Sequence, residues 1–114
     1  MRLNHPQGAA AEEIAKRFLQ AQGCRIVAQN WHCPFGEIDL IAKQGNDLIF
    51  VEVRFRKNQR YGGAAASIDG RKIGKLQRSA EYYLQTQHIN CPCRIDAILL
   101  EGEQKPQWLT NITG

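Results

Sequence analysis

Two β-rich runs, Glu37 to Lys43 and Leu48 to Arg56, flank the turn-prone segment Gln44-Gly45-Asn46-Asp47, and this arrangement constrains the fold most. A β-rich run that meets such a segment and resumes at once doubles back as a hairpin. A loop centred between Gly45 and Asn46 makes paired residue numbers sum to about 91, so Asp39 faces Glu52 and Glu37 faces Arg54. Strand alternation puts Glu37, Asp39 and Ile41 on one side of the first strand. Phe50, Glu52, Arg54 and Arg56 share one side of the second.

Directly opposed carboxylates sit with Cβ atoms roughly 4.5 to 5.5 Å apart and repel, so something must offset the repulsion. A hard dication is one solution, because Mg²⁺ and Mn²⁺ prefer carboxylate oxygen and keep positions for water and phosphate. Two acids solvated on an open sheet face are the other, with Glu37 and Arg54 as an ordinary cross-strand ion pair. Without metal, one of the two carboxyls holds its proton to a higher pH than an isolated one.

The rest of the chain supplies elements to pack on this hairpin. Ala11, Ile14, Ala15, Phe18 and Leu19 recur at helical spacing between Gly8 and Gln22, before a stop at Gly23. Ile26 and Val27 mark a strand over Arg25 to Trp31, ended by Cys33-Pro34-Phe35-Gly36. Lys57 to Gly70, rich in glycine, alanine and polar residues, reads as a mobile connection. A second helix is expected from Arg71 to Gln87, with Ile73, Leu76, Ala80, Tyr83 and Leu84 inward. Arg94 to Leu100 forms a further strand, and Trp108 to Ile112 adds a short edge. The order is α-β-β-β-α-β, an α/β class, and a length of 114 residues has room for a single domain.

The apolar runs are far shorter than the roughly 20 residues of a membrane span, and the N-terminus lacks the apolar core of a signal peptide, so a cytoplasmic protein is expected. Of the four cysteines only Cys91 and Cys93 are close, without the two-residue spacer of a zinc motif, and reduced thiols are expected. A net charge of +4 suits a polyanionic partner without requiring one.

Gly36-Glu37-Ile38-Asp39-Leu40-Ile41 followed by Phe50-Val51-Glu52-Val53-Arg54-Phe55-Arg56 closely resembles the signature of the YraN family, regarded as endonucleases within the PD-(D/E)XK superfamily that also holds the archaeal Holliday-junction resolvases. The resemblance extends through Gly8, Glu12 and Ala15 in the first helix, Asn30 before the turn, Tyr61-Gly62, Lys72 at the second helix and Arg94-Ile95-Asp96 in the late strand. It implies a restriction-endonuclease-like domain, a mixed central sheet flanked by helices, hydrolysing phosphodiesters in DNA with Mg²⁺ or Mn²⁺. It further implies that Asp39, Glu52 and the Val53 carbonyl hold the metal and that Glu12 assists. Glu12 also reads as a helix-start acid stabilised by the macrodipole.

Two departures stand out: Ala11 replaces a common glycine, which concerns packing, and Arg54 replaces the motif's lysine. Arginine keeps charge and donors for an anionic transition state but stays protonated and cannot act as a general base, which leaves Lys72 as a helper.

Arg71, Lys75 and Arg78 fall at i, i+4 and i+7 on the second helix, and with Arg56, Lys57 and Arg60 they offer phosphate contacts around the carboxylates. A solvated helix face explains the same stripe. No recognition helix is evident, so binding is expected to be structure-selective or nonspecific; His32 and His88 read as surface or turn residues. The expectation is a metal-dependent DNA endonuclease, a homodimer if it cuts junctions. The alternatives are a nucleic-acid-binding module without turnover, and an adaptor binding a protein through the Gly-Ala loop.

Overall fold

The computed structural model describes residues 6–56 and 64–114. Helix α1 (Pro6–Ala21) precedes strands β1 (Arg25–Cys33), β2 (Gly36–Gln44) and β3 (Asp47–Arg56). A short 3₁₀ turn (Ala65–Ser67) then leads to helix α2 (Gly70–Thr86) and strands β4 (Cys93–Glu101) and β5 (Gln107–Leu109). The strands form one mixed sheet in the order β1-β2-β3-β4-β5, antiparallel except where β4 runs parallel to β3. That parallel pair needs a crossover, and α2 lies within it.

Each helix buries one stripe on one face of the sheet. On α1 the spacing 11, 15, 19 brings Ala11, Ala15 and Leu19 into the core with Leu40, Ala42, Ile49, Val51, Ile98 and Leu100, the two alanines letting the helix backbone approach closely. Ile14, expected in this stripe, is 49% exposed, because a helix four turns long buries only the arc that faces the sheet. Termination of α1 follows the Schellman pattern: Gly23, at φ +92°, donates to the Gln20 carbonyl, and Cys24 N–H donates to Leu19 O at 3.0 Å. On the other face Leu76, Ala80 and Tyr83 of α2 pack against Ile38, Ile41, Leu48, Phe50 and Ile95.

The hairpin register is the expected one, running from Gln44↔Asp47 to Leu40↔Val51 around a Gly45-Asn46 loop in which Gly45 takes φ +60°. Beyond Leu40↔Val51 the two strands part. Residues 36–38 of β2 continue pairing with β1 only, at Trp31↔Ile38, His32↔Glu37 and Cys33↔Gly36. Alternation also breaks here, since Ile38 and Ile41 both pack in the α2 layer while Leu40 packs in the α1 layer. The expectation that Ile41 shares a side with Glu37 and Asp39 therefore fails, although the carboxylates of the two acids still lie together. The expected Glu37–Arg54 ion pair fails with it, and Glu37 Oε1 instead lies 3.5 Å from His32 Nδ1.

The connection after β3 is not loose where it is described. Ala64 is fully buried beside Ala97 and Leu99, and its N–H donates to Glu101 Oε2 at 2.7 Å, so the segment entering α2 is pinned to β4. Residues 57–63, which carry Lys57, Arg60 and Tyr61-Gly62, lie outside the described residues.

At the far end of β4, Asp96 is completely buried and accepts from Arg94 Nε (3.1 Å), Trp108 Nε1 (2.9 Å) and Asn111 N (2.8 Å). A buried carboxylate satisfied this fully is a structural tie, here fastening β5 and the C-terminal segment to the sheet. Among the described residues no helix is long and apolar enough to cross a membrane.

Candidate active site

The parting of β2 from β3 opens a cleft of about 490 Å³ at the end of the sheet, between the starts of the two helices. Asp39 and Glu52 occupy the positions where the ladder would have continued. The amide that a further rung would have used is not left orphaned: Val53 N–H donates to Asp39 Oδ2 at 2.8 Å. A side chain thus completes the sheet where the backbone cannot, and this fixes Asp39 against β3.

Glu52 is 3% exposed. Arg54 Nε lies 2.8 Å from Glu52 Oε2, and Lys72 Nζ lies 3.5 Å from the same oxygen. The Arg54 contact is short but poorly directed, and Nε makes no hydrogen bond. Lys72 arrives from the first turn of α2, where Asp69 caps the helix by accepting from Lys72 N–H at 3.0 Å. The cap therefore sets both the start of α2 and the height of Lys72 over Glu52.

Burial drives the electrostatics. Removal from water, reinforced by the charge of Asp39, pushes the Glu52 carboxyl from 4.5 up to about 7, against the pull of Arg54 and Lys72. Asp39 is also raised, chiefly by burial; the Val53 hydrogen bond opposes the rise and the Glu37 charge adds to it. Two acids held above their ordinary range in an open cleft form an arrangement that a cation would relieve.

Of the residues expected to form a site, Asp39, Glu52, Val53, Arg54, Arg56, Lys72 and Glu12 all line this cleft. Glu12 comes in from α1, and a carboxylate oxygen from each of Glu12, Glu37 and Asp39 lies within 4.8 Å of the others. The sequence reading missed Glu37, which it assigned to Arg54. The signal was present in the spacing Glu37-x-Asp39, two acids on one edge of one strand. His32, read as an ordinary surface residue, sits beside Glu37 at the rim. Arg71, Lys75 and Arg78 are exposed along α2 outside the cleft. The hard oxygen set of Glu12, Glu37 and Asp39 fits Mg²⁺ or Mn²⁺ in donor chemistry, whereas Glu52, expected as a ligand, lines the same cleft outside that cluster with its Oε2 against Arg54 and Lys72.

The model of the Uncharacterised protein family UPF0102 matches residues 11–100, which include every cleft residue except Gly8. A UPF0102 protein of Neisseria gonorrhoeae (strain NCCP11945) is 61% identical over 115 residues, covering all of both chains. UPF0102 proteins of Nitrosomonas eutropha and Pseudomonas fluorescens are each 48% identical, covering 92% and 91% of this chain and 90% and 89% of theirs. The chain belongs to the YraN-like family UPF0102.

Proposed function

We propose that this UPF0102 chain is a metal-dependent DNA endonuclease with a restriction-endonuclease-like fold. One observation carries the reading: Glu52 is buried, held near a pKa of about 7 and placed beside Asp39 in an open cleft that also presents Arg54 and Lys72. Burying acids and cations together costs stability, and phosphoryl chemistry uses such a grouping in this way.

Asp39, Glu12 and Glu37 would hold Mg²⁺ or Mn²⁺, and Glu52 and the Val53 carbonyl of the same cleft would join them once Glu52 exchanges Arg54 and Lys72 for the ion. When bound, the ion supplies Lewis-acid polarisation of a phosphoryl oxygen and acidifies water. Arg54 and Lys72 neutralise charge as it builds on the scissile phosphate. Arg54 stays protonated throughout, so its part is electrostatic and orienting. Lys72, held at a helix start by the Asp69 cap, provides the compact ammonium that the motif otherwise places on β3. Val53 N–H keeps the Asp39 carboxylate facing the cleft side of β3 during turnover.

A DNA-binding module without turnover is the second reading, and one observation favours it. Both cations of the cleft lean on the same Glu52 oxygen, so the site is already partly neutralised by its own residues. The test is incubation of purified protein with single-stranded, duplex, flap and four-way DNA in Mg²⁺ and in Mn²⁺, beside Asp39→Ala and Glu52→Ala. Cleavage lost in both variants supports the enzyme. Cleavage unchanged in both identifies a contaminant and removes the proposal, and equal binding without cleavage in all three proteins establishes the module.

A further inference from the structure

The β1–β2 turn carries Phe35, a large apolar side chain that is 44% exposed. Its ring meets Tyr82 of α2 edge-on, with centroids 5.8 Å apart and planes at 72°. Tyr82 in turn contacts Trp31 at 6.2 Å, Trp31 meets Tyr83 at 5.1 Å, and Tyr83 meets the buried Phe50 at 5.7 Å. A continuous series of rings thus runs from solvent to the core, so the outermost pair is braced from beneath. Aromatic area presented on a rigid support costs little entropy to use in binding.

A cavity of about 310 Å³ opens at this pair, and Arg78, Glu81 and Gln85 complete its wall. Arg78 is aimed in a telling direction: its Nη1 lies 3.9 Å from where a Cβ on Gly74 would stand, so the guanidinium reaches back one turn toward the start of α2. That is the end at which Lys72 enters the acidic cleft. Lys75, Arg78 and Tyr82 follow one another at i, i+3 and i+7, on one side of the helix. From Lys72 to Tyr82 is about 15 Å along the axis, the span of about four nucleotides at the roughly 3.4 Å rise per residue of a stacked strand.

We propose that Phe35 and Tyr82 form a stacking site for an unpaired base of a single DNA strand, with Arg78 on the phosphates between that base and the cleft. The proposal rests on the nuclease reading for its substrate class and adds a preference within it. Bases inside a duplex are already stacked on their neighbours and cannot use an exposed ring, whereas a flap or splayed end can. The lining offers this occupant aromatic rings for the base and a guanidinium for the backbone, with Gln85 and the exposed Glu81 completing the wall.

The test measures binding of the full chain to a fluorescein-labelled oligothymidylate and to a duplex of equal length, in Ca²⁺, by anisotropy. A second oligonucleotide carries 2-aminopurine, whose emission falls on stacking. Phe35→Ala is expected to weaken single-strand binding about tenfold and to abolish the 2-aminopurine quenching while leaving duplex affinity unchanged, with Phe35→Trp restoring both. Arg78→Ala is expected to lower the salt slope by about 1. Phe35 stands at a surface turn, and superimposable unfolding curves for parent and variant confirm that the fold is kept. Equal single-strand affinity and equal quenching in the parent and Phe35→Ala would overturn the stacking site, as would a parent that binds no single strand. Cleavage that survives such a result leaves the nuclease reading standing, and Phe35-dependent binding without cleavage removes the nuclease reading alone.

Discussion

Replacing Glu52 by glutamine should stabilise this protein above neutral pH. With its carboxyl near 7 instead of 4.5, the folded state binds a proton more tightly than the unfolded one, a difference of about 3 kcal/mol at about 1.4 kcal/mol per unit. In the window between those values the folded state holds more protons, so stability falls as pH rises and is fully lost only above about 7. Below 4.5 both states are protonated and the residue contributes nothing to the slope. Glutamine is close in shape and never ionises, so Glu52→Gln should match the parent at pH 4.5 and gain about 3 kcal/mol at pH 8, on the order of 10 °C in melting temperature for a chain of this size. The attraction of Arg54 and Lys72 is already included, because the raised value is what remains after both have pulled it down. The assay is urea unfolding followed by tryptophan fluorescence at pH 4.5, 6, 7 and 8 in a chelator, for the parent and the variant. A variant equal to or less stable than the parent at pH 8 would refute the reasoning, since ionised Glu52 would then be adequately paired. If the cleft holds Mg²⁺, added cation should remove the parent's loss above pH 6 and leave Glu52→Gln nearly unmoved.

Two further predictions follow from single contacts. Arg54→Lys should retain or raise DNA cleavage, because a lysine restores the compact ammonium beside Glu52, whereas Arg54→Ala should lower it at least tenfold; initial rates with a flap substrate decide between them. Asp96→Ala should cost about 3 kcal/mol or more in urea, since Arg94, Trp108 Nε1 and Asn111 N all lose a buried acceptor, and the Trp108 emission should move to the red as β5 loosens.

Much of the architecture was legible because it follows from local patterning. The 11, 15, 19 stripe and Gly23 specify α1 and its end. The two-residue loop at Gly45 specifies the hairpin and its register as far as Leu40↔Val51, one step short of Asp39 and Glu52. Lys72 was readable near the start of the second helix, whereas its Asp69 cap lay within the segment read as a mobile connection and was not.

Long-range geometry decided the rest. Alternation predicts a ladder that continues past Leu40, and only the competition between β1 and β3 for β2 ends it there. That parting turns Glu37 away from Arg54 and toward Glu12, a residue far from it in sequence. It also gives Asp39 the Val53 amide and leaves Glu52 buried between two cations. The aromatic series from Phe35 to Phe50 joins a turn, a helix and a central strand, and no period in the sequence announces it. The sequence by itself determined which acids and cations this protein carries and on which elements. The tertiary structure decided which of them meet and how far each is removed from water, because both depend on where strands separate and helices begin in space.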